Sequence, residues 1–240
     1  MINKIYIFFL TLLINVIDNK TKRQITKFFK EKFKDNKLNI IDVGAHKGET
    51  VRQFLYNFNI NNIFAIEANP STFKILKEKK FKEKNKVFFF NIGLGKKNEE
   101  KYLNIFNESS SSTFMEINEN SSYFLRKKKI LGFFTKDVIV RKNKVKIITL
   151  SDFIKENNIN KIDILKIDTE GSEFNILQGL DNNNFKMINY IFFEHHYDLM
   201  LKKNYNFSDI NLLLIKNNFR LCFKNKMRFR KTFEYIYEKK

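Results

Sequence analysis

Three short stretches of this chain carry residue types that could do chemistry, and each follows an apolar run. The first is Asp42-Val43-Gly44-Ala45-His46-Lys47-Gly48, directly after Leu38 to Ile41. An acid and two glycines between a strand and a helix-like segment form a nucleotide-cradling turn. Gly44 lets the chain turn with no Cβ in the way, and Gly48 lets a ligand or the sheet approach the start of the helix. A second strand, Ile63 to Ile66, ends in Glu67. Its distance from the loop, about twenty residues, is where a ribose-binding acid belongs in a doubly wound α/β fold. The spacing D-x-G-x-x-x-G is not the dinucleotide fingerprint G-x-G-x-x-G, which weighs against a NAD-dependent oxidoreductase. It suits a single nucleoside with no pyrophosphate, and S-adenosylmethionine is such a ligand.

The second stretch is Lys166-Ile167-Asp168-Thr169-Glu170-Gly171. Its strand delivers Asp168 to the sheet edge, and Glu170 follows in the turn. Helix capping accounts for one such acid; two at a strand tip exceed what capping requires. The third is Glu194-His195-His196-Tyr197-Asp198, just past the apolar run Ile188 to Phe193. The chain has 3 histidines, and two are adjacent here. At a strand tip they are candidates for a base or a metal ligand, although nothing in the sequence demands a metal.

The elements that must position these residues alternate as strand and helix, which implies a mostly parallel sheet with helices on both faces. Leu38 to Val43, Ile63 to Glu67 and Val87 to Ile92 read as strands, with helices over Glu49 to Phe58 and from Pro70. The pattern breaks over 94–148, an insertion with hairpin pieces (Tyr102 to Phe106, Val138 to Val140, Val145 to Ile148) around the run Ser109 to Thr113. The serine run has linker composition, yet an excursion this long in a compact domain is more often a lid or binding segment. Alternation then resumes: a helix from Ser151, strand Ile162 to Ile167, a helix from Ser172, strand Ile188 to Phe193, helix Ser208 to Asn217, and strand-like runs Phe219 to Phe223 and Thr232 to Tyr237.

At 240 residues with 43% hydrophobic content, residues 36–240 suffice for one full domain preceded by a helical extension over 1–35. The extension is apolar from Ile5 to Ile17, then basic and amphipathic with Ile25, Phe28, Phe29 and Phe33 on one side. Its apolar run is shorter than the roughly 20 residues that span a bilayer. Two roles stay open for it: packing on protein, or lying in an anionic membrane interface. The net charge of +19 is spread along the chain without interleaved stacking aromatics, so nucleic acid is not the expected partner. Cys222 is alone, which excludes an internal disulfide framework and fits a cytoplasmic protein, with the inner membrane face as the alternative placement.

Taken together, Asp42 to Gly48, Ile66-Glu67-Ala68-Asn69-Pro70, Ile148-Thr149-Leu150-Ser151-Asp152-Phe153, Leu165 to Glu173 and Phe193-Glu194-His195 resemble the FkbM-family methyltransferases in order and spacing over about 38–198. The K-I-D-T-E-G block is the most specific element. One departure is visible, because the family usually has Asn where His46 stands. The resemblance implies a class I, Rossmann-like fold, S-adenosylmethionine as donor, and commonly methylation of a hydroxyl on a sugar, glycolipid or secondary metabolite. On that basis the loop Gly44, Ala45, His46 and Gly48 passes under the methionine part, and Asp42 helps hold its amino group. Glu67 and Ala68 meet the ribose, and Asn91, Ile92 and Gly93 border the adenine. An alcohol needs its proton removed or shared; Asp168, Glu170, His195 and His196 are the candidates, with a histidine as base and Asp168 orienting the acceptor. The rival readings are a ribose-methylating RNA enzyme and a non-catalytic membrane-surface protein.

Overall fold

The computed structural model describes residues 22–106, 112–131, 139–227 and 231–240. The apolar run Ile5 to Ile17 and Ser109 to Ser111 lie outside them. In chain order, helix α1 covers 22–33, followed by β1 (Leu38–Val43), α2 (Glu49–Asn57), β2 (Ile60–Ile66), α3 (Pro70–Glu78) and β3 (Val87–Phe90). The insertion holds β4 (Gly93–Gly95), β5 (Glu99–Phe106), β6 (Glu116–Ile117), α4 (Ser122–Leu131) and β7 (Ile139–Thr149). Then come α5 (Leu150–Glu156), β8 (Ile162–Ile167), α6 (Glu173–Gln178), α7 (Asn182–Lys186) and β9 (Ile188–His196). The chain closes with β10 (Leu201–Lys202), α8 (Phe207–Lys216), β11 (Phe219–Lys226) and β12 (Thr232–Lys239).

Seven strands form one sheet in the order β11-β12-β9-β8-β1-β2-β3. The five from β3 to β9 run parallel, while β12 is antiparallel to both β9 and β11. Every residue of β8 is buried, as a central parallel strand covered on both faces requires. One face is covered by α1, α2 and α3, whose Ile25, Phe29, Phe54 and Leu76 pack on Ile40, Ile63 and Phe192. The other is covered by α5 to α8 through Phe153, Ile176, Phe185 and Ile210 on Ile41, Leu165 and Ile191. Order, direction and layering make this the class I methyltransferase sheet, an α/β fold.

Helix starts follow the sequence signals. Pro70 occupies the first turn of α3 behind its cap Asn69, where a missing N–H costs nothing. Thr149 caps α5, and Asn206 with Asp209 forms a capping box on α8. The expected hairpin pieces of the insertion assemble as a second sheet, β4-β7-β5. Val145 to Ile148 and residues from Ile139 onward belong to the single strand β7, antiparallel to β5.

The basic amphipathic helix expected over 21–35 packs on the domain through the side read from sequence. Phe29 is fully buried and meets Tyr190 and Phe192 edge-on. Truncating Phe29→Ala is expected to lower unfolding stability by about 3–5 kcal/mol in urea titrations. A loss under about 1 kcal/mol would mean that α1 is not part of the cooperative fold.

Candidate active site

Strands β1 and β8 are neighbours where the strand order reverses, the position at which open α/β sheets bind ligands beyond their strand tips. The parallel register sets Asp42 beside Lys166. The Lys166 Nζ lies 3.0 Å from Asp42 Oδ1 and 3.4 Å from Asp168 Oδ2. Burial alone would push the ammonium toward neutrality, but the two carboxylates outweigh it and raise its pKa above the ordinary lysine value. Asp42 itself is fully buried behind Lys166, with Oδ2 lacking a hydrogen-bond partner. It is not among the cavity-lining residues. The partner that the structure gives Asp42, expected to help hold a donor amino group, is Lys166, a residue to which the sequence reading gave no role. A lysine inside a fully buried strand was the available signal.

A cavity of about 290 Å³ opens beyond these tips. Gly44, Ala45, His46, Glu67, Ala68, Ile92 and Gly93 line it. Gly44 has φ +81°, and a Cβ there would sit 1.9 Å from the Asp168 carbonyl oxygen, so the two strand-tip loops touch through it. His46 also has positive φ, 48°, a conformation asparagine adopts more readily than most residues. Its N–H donates to Glu67 Oε2 at 2.8 Å, and the Asn69 N–H donates to Glu67 Oε1 at 2.8 Å. Burial nevertheless pushes the Glu67 carboxyl above the usual range. Two of the residues expected at the donor site lie outside the lining. Asn91 is not in the cavity lining; its side-chain amide donates to the Glu67 carbonyl at 2.8 Å and fastens the tip of β2. Gly48 faces α3 instead, because a Cβ there would meet Phe81 and Leu76 at 2.6 and 2.9 Å.

The opposite side of the cavity is acidic, with Asp168, Glu170, Glu194 and Glu234 in its lining. Glu194 and Glu234 stand directly opposite each other on antiparallel β9 and β12. Glu194 opens the third stretch read from sequence but was given no role there, and Glu234 was not expected. Glu234 alternates with Thr232 and Ile236 on a buried face, and that misplaced charge was its only signal. Glu170 sits at positive φ, 49°, and its carbonyl accepts from the buried Thr113 hydroxyl at 2.7 Å. The insertion thus braces the loop that carries the acids.

The histidines separate. His195 Nδ1 is 2.6 Å from Glu173 Oε1, and both side chains are buried; the ring packs on Tyr197 and Phe207 and is not in the cavity lining. His196 Nε2 lies 3.2 Å from Glu194 Oε1 and 3.4 Å from Glu170 Oε2, with Nδ1 3.5 Å from Asp198 Oδ2. Burial would lower its pKa, but Glu170, Asp198 and Glu194 outweigh that and raise it well above the ordinary histidine value. Neither histidine is in the cavity lining: His195 is turned to Glu173, and His196, with Nδ1 also 3.2 Å from the Thr232 hydroxyl, faces carboxylates that favour its charged form. Among the described residues, no group of three or more His, Cys, Asp or Glu is placed to hold a metal ion. Among them too, no helix is long and apolar enough to cross a membrane.

The lining suits S-adenosylmethionine on chemical grounds. A carboxylate at the tip of β2 can accept from ribose hydroxyls. Ile66, Ile92, Leu94 and Phe114 offer apolar walls to a heteroaromatic ring, and the acids complement a cationic ligand.

The structure superposes on methyltransferase FkbM from Methylobacillus flagellatus KT with a TM-score of 0.51 at 11% identity, covering 84% of this chain and 43% of that one. The chain therefore spans less than half the length of that relative, and at this identity the likeness is one of fold. Magnesium protoporphyrin IX methyltransferase from Synechocystis PCC 6803, with S-adenosylhomocysteine bound, gives 0.49 at 7% identity over 95% of this chain and 85% of that one. A putative RNA methyltransferase from Pyrococcus horikoshii gives 0.48 at 11% identity over 91% and 81%. Comparison with curated proteins finds no match. Residues 42–221 match the Methyltransferase FkbM domain, so the chain belongs to the FkbM methyltransferase family, whose methyl donor is S-adenosylmethionine.

Proposed function

We propose that the chain transfers the donor's methyl group to a hydroxyl of a sugar, glycolipid or secondary metabolite. The observation that carries this reading is the placement of Asp168, Glu170 and Glu194 in the lining of the same cavity as the glycine loop and Glu67. The bound donor supplies an already activated methyl group. What the protein must add is alignment of the acceptor oxygen and a place for its proton.

Geometry supports the following roles. Asp168, tied to Lys166 at 3.4 Å, accepts a hydrogen bond from the acceptor and orients it. Glu194 projects from a sheet strand with its side chain only 11% exposed, and it accepts the proton of the attacking hydroxyl. Glu170 faces the same space from the neighbouring loop. His196 keeps this carboxylate cluster together. A protein thiol nucleophile is not used, because Cys222 donates to the Ile236 carbonyl at 3.2 Å, away from the cavity lining. Burial pushes that thiol up to about 11.

Calorimetry with S-adenosylhomocysteine tests the donor site: micromolar binding by the native chain is expected, at least tenfold weaker in Glu67→Ala. Binding that the substitution leaves unchanged would remove Glu67 from the site. A screen of glycans and glycolipids with methyl-labelled donor tests the acceptor class. With a working acceptor, Glu194→Gln is expected to lower kcat by about 10²–10⁴-fold at unchanged donor affinity; full turnover would assign the proton elsewhere.

The state of His196 is testable through pH. Its folded-state pKa is raised, so its contribution to stability is complete below the unfolded value, about 6.5, and is lost as pH rises through the folded value. The stability advantage of the native chain over His196→Gln should therefore be constant at acid pH and shrink above neutrality. A difference that grows with pH would contradict the imidazolium assignment.

A further inference from the structure

Beside the reaction cavity, α1 and α2 enclose a groove of about 870 Å³. Lys22, Arg23, Lys27 and Lys30 of α1 and Arg52 of α2 line it, and all of them are exposed. Among the described residues, Glu31 is the only carboxylate in the lining. It lies 3.9 Å from Lys27 with both side chains largely exposed, a pairing that neutralises little. At the seam, the Gln53 side-chain amide donates to Thr26 Oγ1 at 2.8 Å and ties the two helices together. Lys22, Thr26 and Gln53 line both the groove and the reaction cavity, so the two spaces adjoin through these three residues.

Resting on the acceptor reading above, we propose that this groove binds a phosphate group carried by the acceptor itself, away from the hydroxyl that is methylated. The division of charge argues for it. Acids line the chamber where a cationic donor reacts, and cations line the approach. A neutral glycan would gain nothing from five cations in a concave site, whereas a phosphate monoester or diphosphate gains charge-assisted hydrogen bonds from Arg23, Arg52 and the lysines. The shared boundary at Lys22, Thr26 and Gln53 is where one molecule would cross from a phosphate in the groove to a hydroxyl in the cavity. A free sugar phosphate and a lipid-borne phosphate share this chemistry.

The test titrates pyrophosphate into the S-adenosylhomocysteine-saturated chain by calorimetry at low ionic strength, alongside a Lys27→Gln, Arg52→Gln double variant. Both substitutions are at exposed positions, and equal thermal midpoints establish that the variant folds. Pyrophosphate binding by the native chain that weakens at least tenfold in the variant, with S-adenosylhomocysteine bound equally by both, is expected. Absent binding, or binding that the variant keeps, overturns the proposal. Loss of S-adenosylhomocysteine binding in both proteins would instead overturn the donor reading; pyrophosphate titrated into the unliganded chain then judges the groove by itself. Sedimentation with phosphatidylcholine vesicles containing phosphatidylglycerol separates the sources. Binding that pyrophosphate displaces supports a lipid-borne phosphate, and no binding supports a free phosphorylated acceptor. Vesicle binding that resists pyrophosphate but is lost in the variant would make the groove a membrane surface and overturn the proposal. So would capture of a single-stranded oligoribonucleotide much tighter than pyrophosphate and lost in the variant.

Discussion

The active site is organised around one buried ammonium group. Lys166 sits between Asp42 and Asp168 at the tips of the two strands that flank the topological switch. Taking a charge out of water is costly, and the cost is recovered only when its partners are close and well oriented. Removing Asp42 would leave the ammonium with only the partly exposed Asp168 as partner, so the pairing ties the tips of β1 and β8 to one relative position. Gly44 then brings its own backbone against the Asp168 carbonyl, and the glycine loop inherits that position. An apolar residue at 166 could pack the sheet as well. It could not hold an acid toward the cavity, and this fits ionic groups at a strand tip better than a stability role does.

A second electrostatic problem follows from the first. Asp168, Glu170, Glu194 and Glu234 converge on one small space, and like charges directly opposite across strands, as Glu194 and Glu234 are, repel. His196 relieves part of this by lying within 3.5 Å of carboxylate oxygens from Glu170, Glu194 and Asp198. A cationic ligand is the charge type that such a wall complements.

What could be read from the chain alone was whatever is local. The parallel strands announce themselves as short apolar runs, and the glycine loop, Glu67 and the acids after β8 sit at strand ends visible from periodicity. Residues defined by pairing were not legible. Lys166 meets Asp42 only through the register of β1 with β8, a partnership between residues far apart in sequence. Glu234 enters the cavity only because β12 runs antiparallel to β9. The two histidines look equivalent as neighbours, yet strand alternation sends them to opposite faces. One then finds Glu173 in the core, and the other finds the acid cluster.

Helix α1 shows how one element can serve fold and site together. The family match begins at residue 42, so α1 lies outside it. Ile25 and Phe29 nevertheless belong to the core and also line the reaction cavity. The opposite edge of the same helix presents Lys22, Lys27 and Lys30 to the basic groove. Burial of the apolar stripe determines where those cations stand, because a helix rotated to bury one face has no freedom left for the other. The core contacts that make α1 part of the fold therefore also set where the cations of the groove stand. Segments outside the shared domain are where members of one family can differ in acceptor while keeping donor and sheet in common.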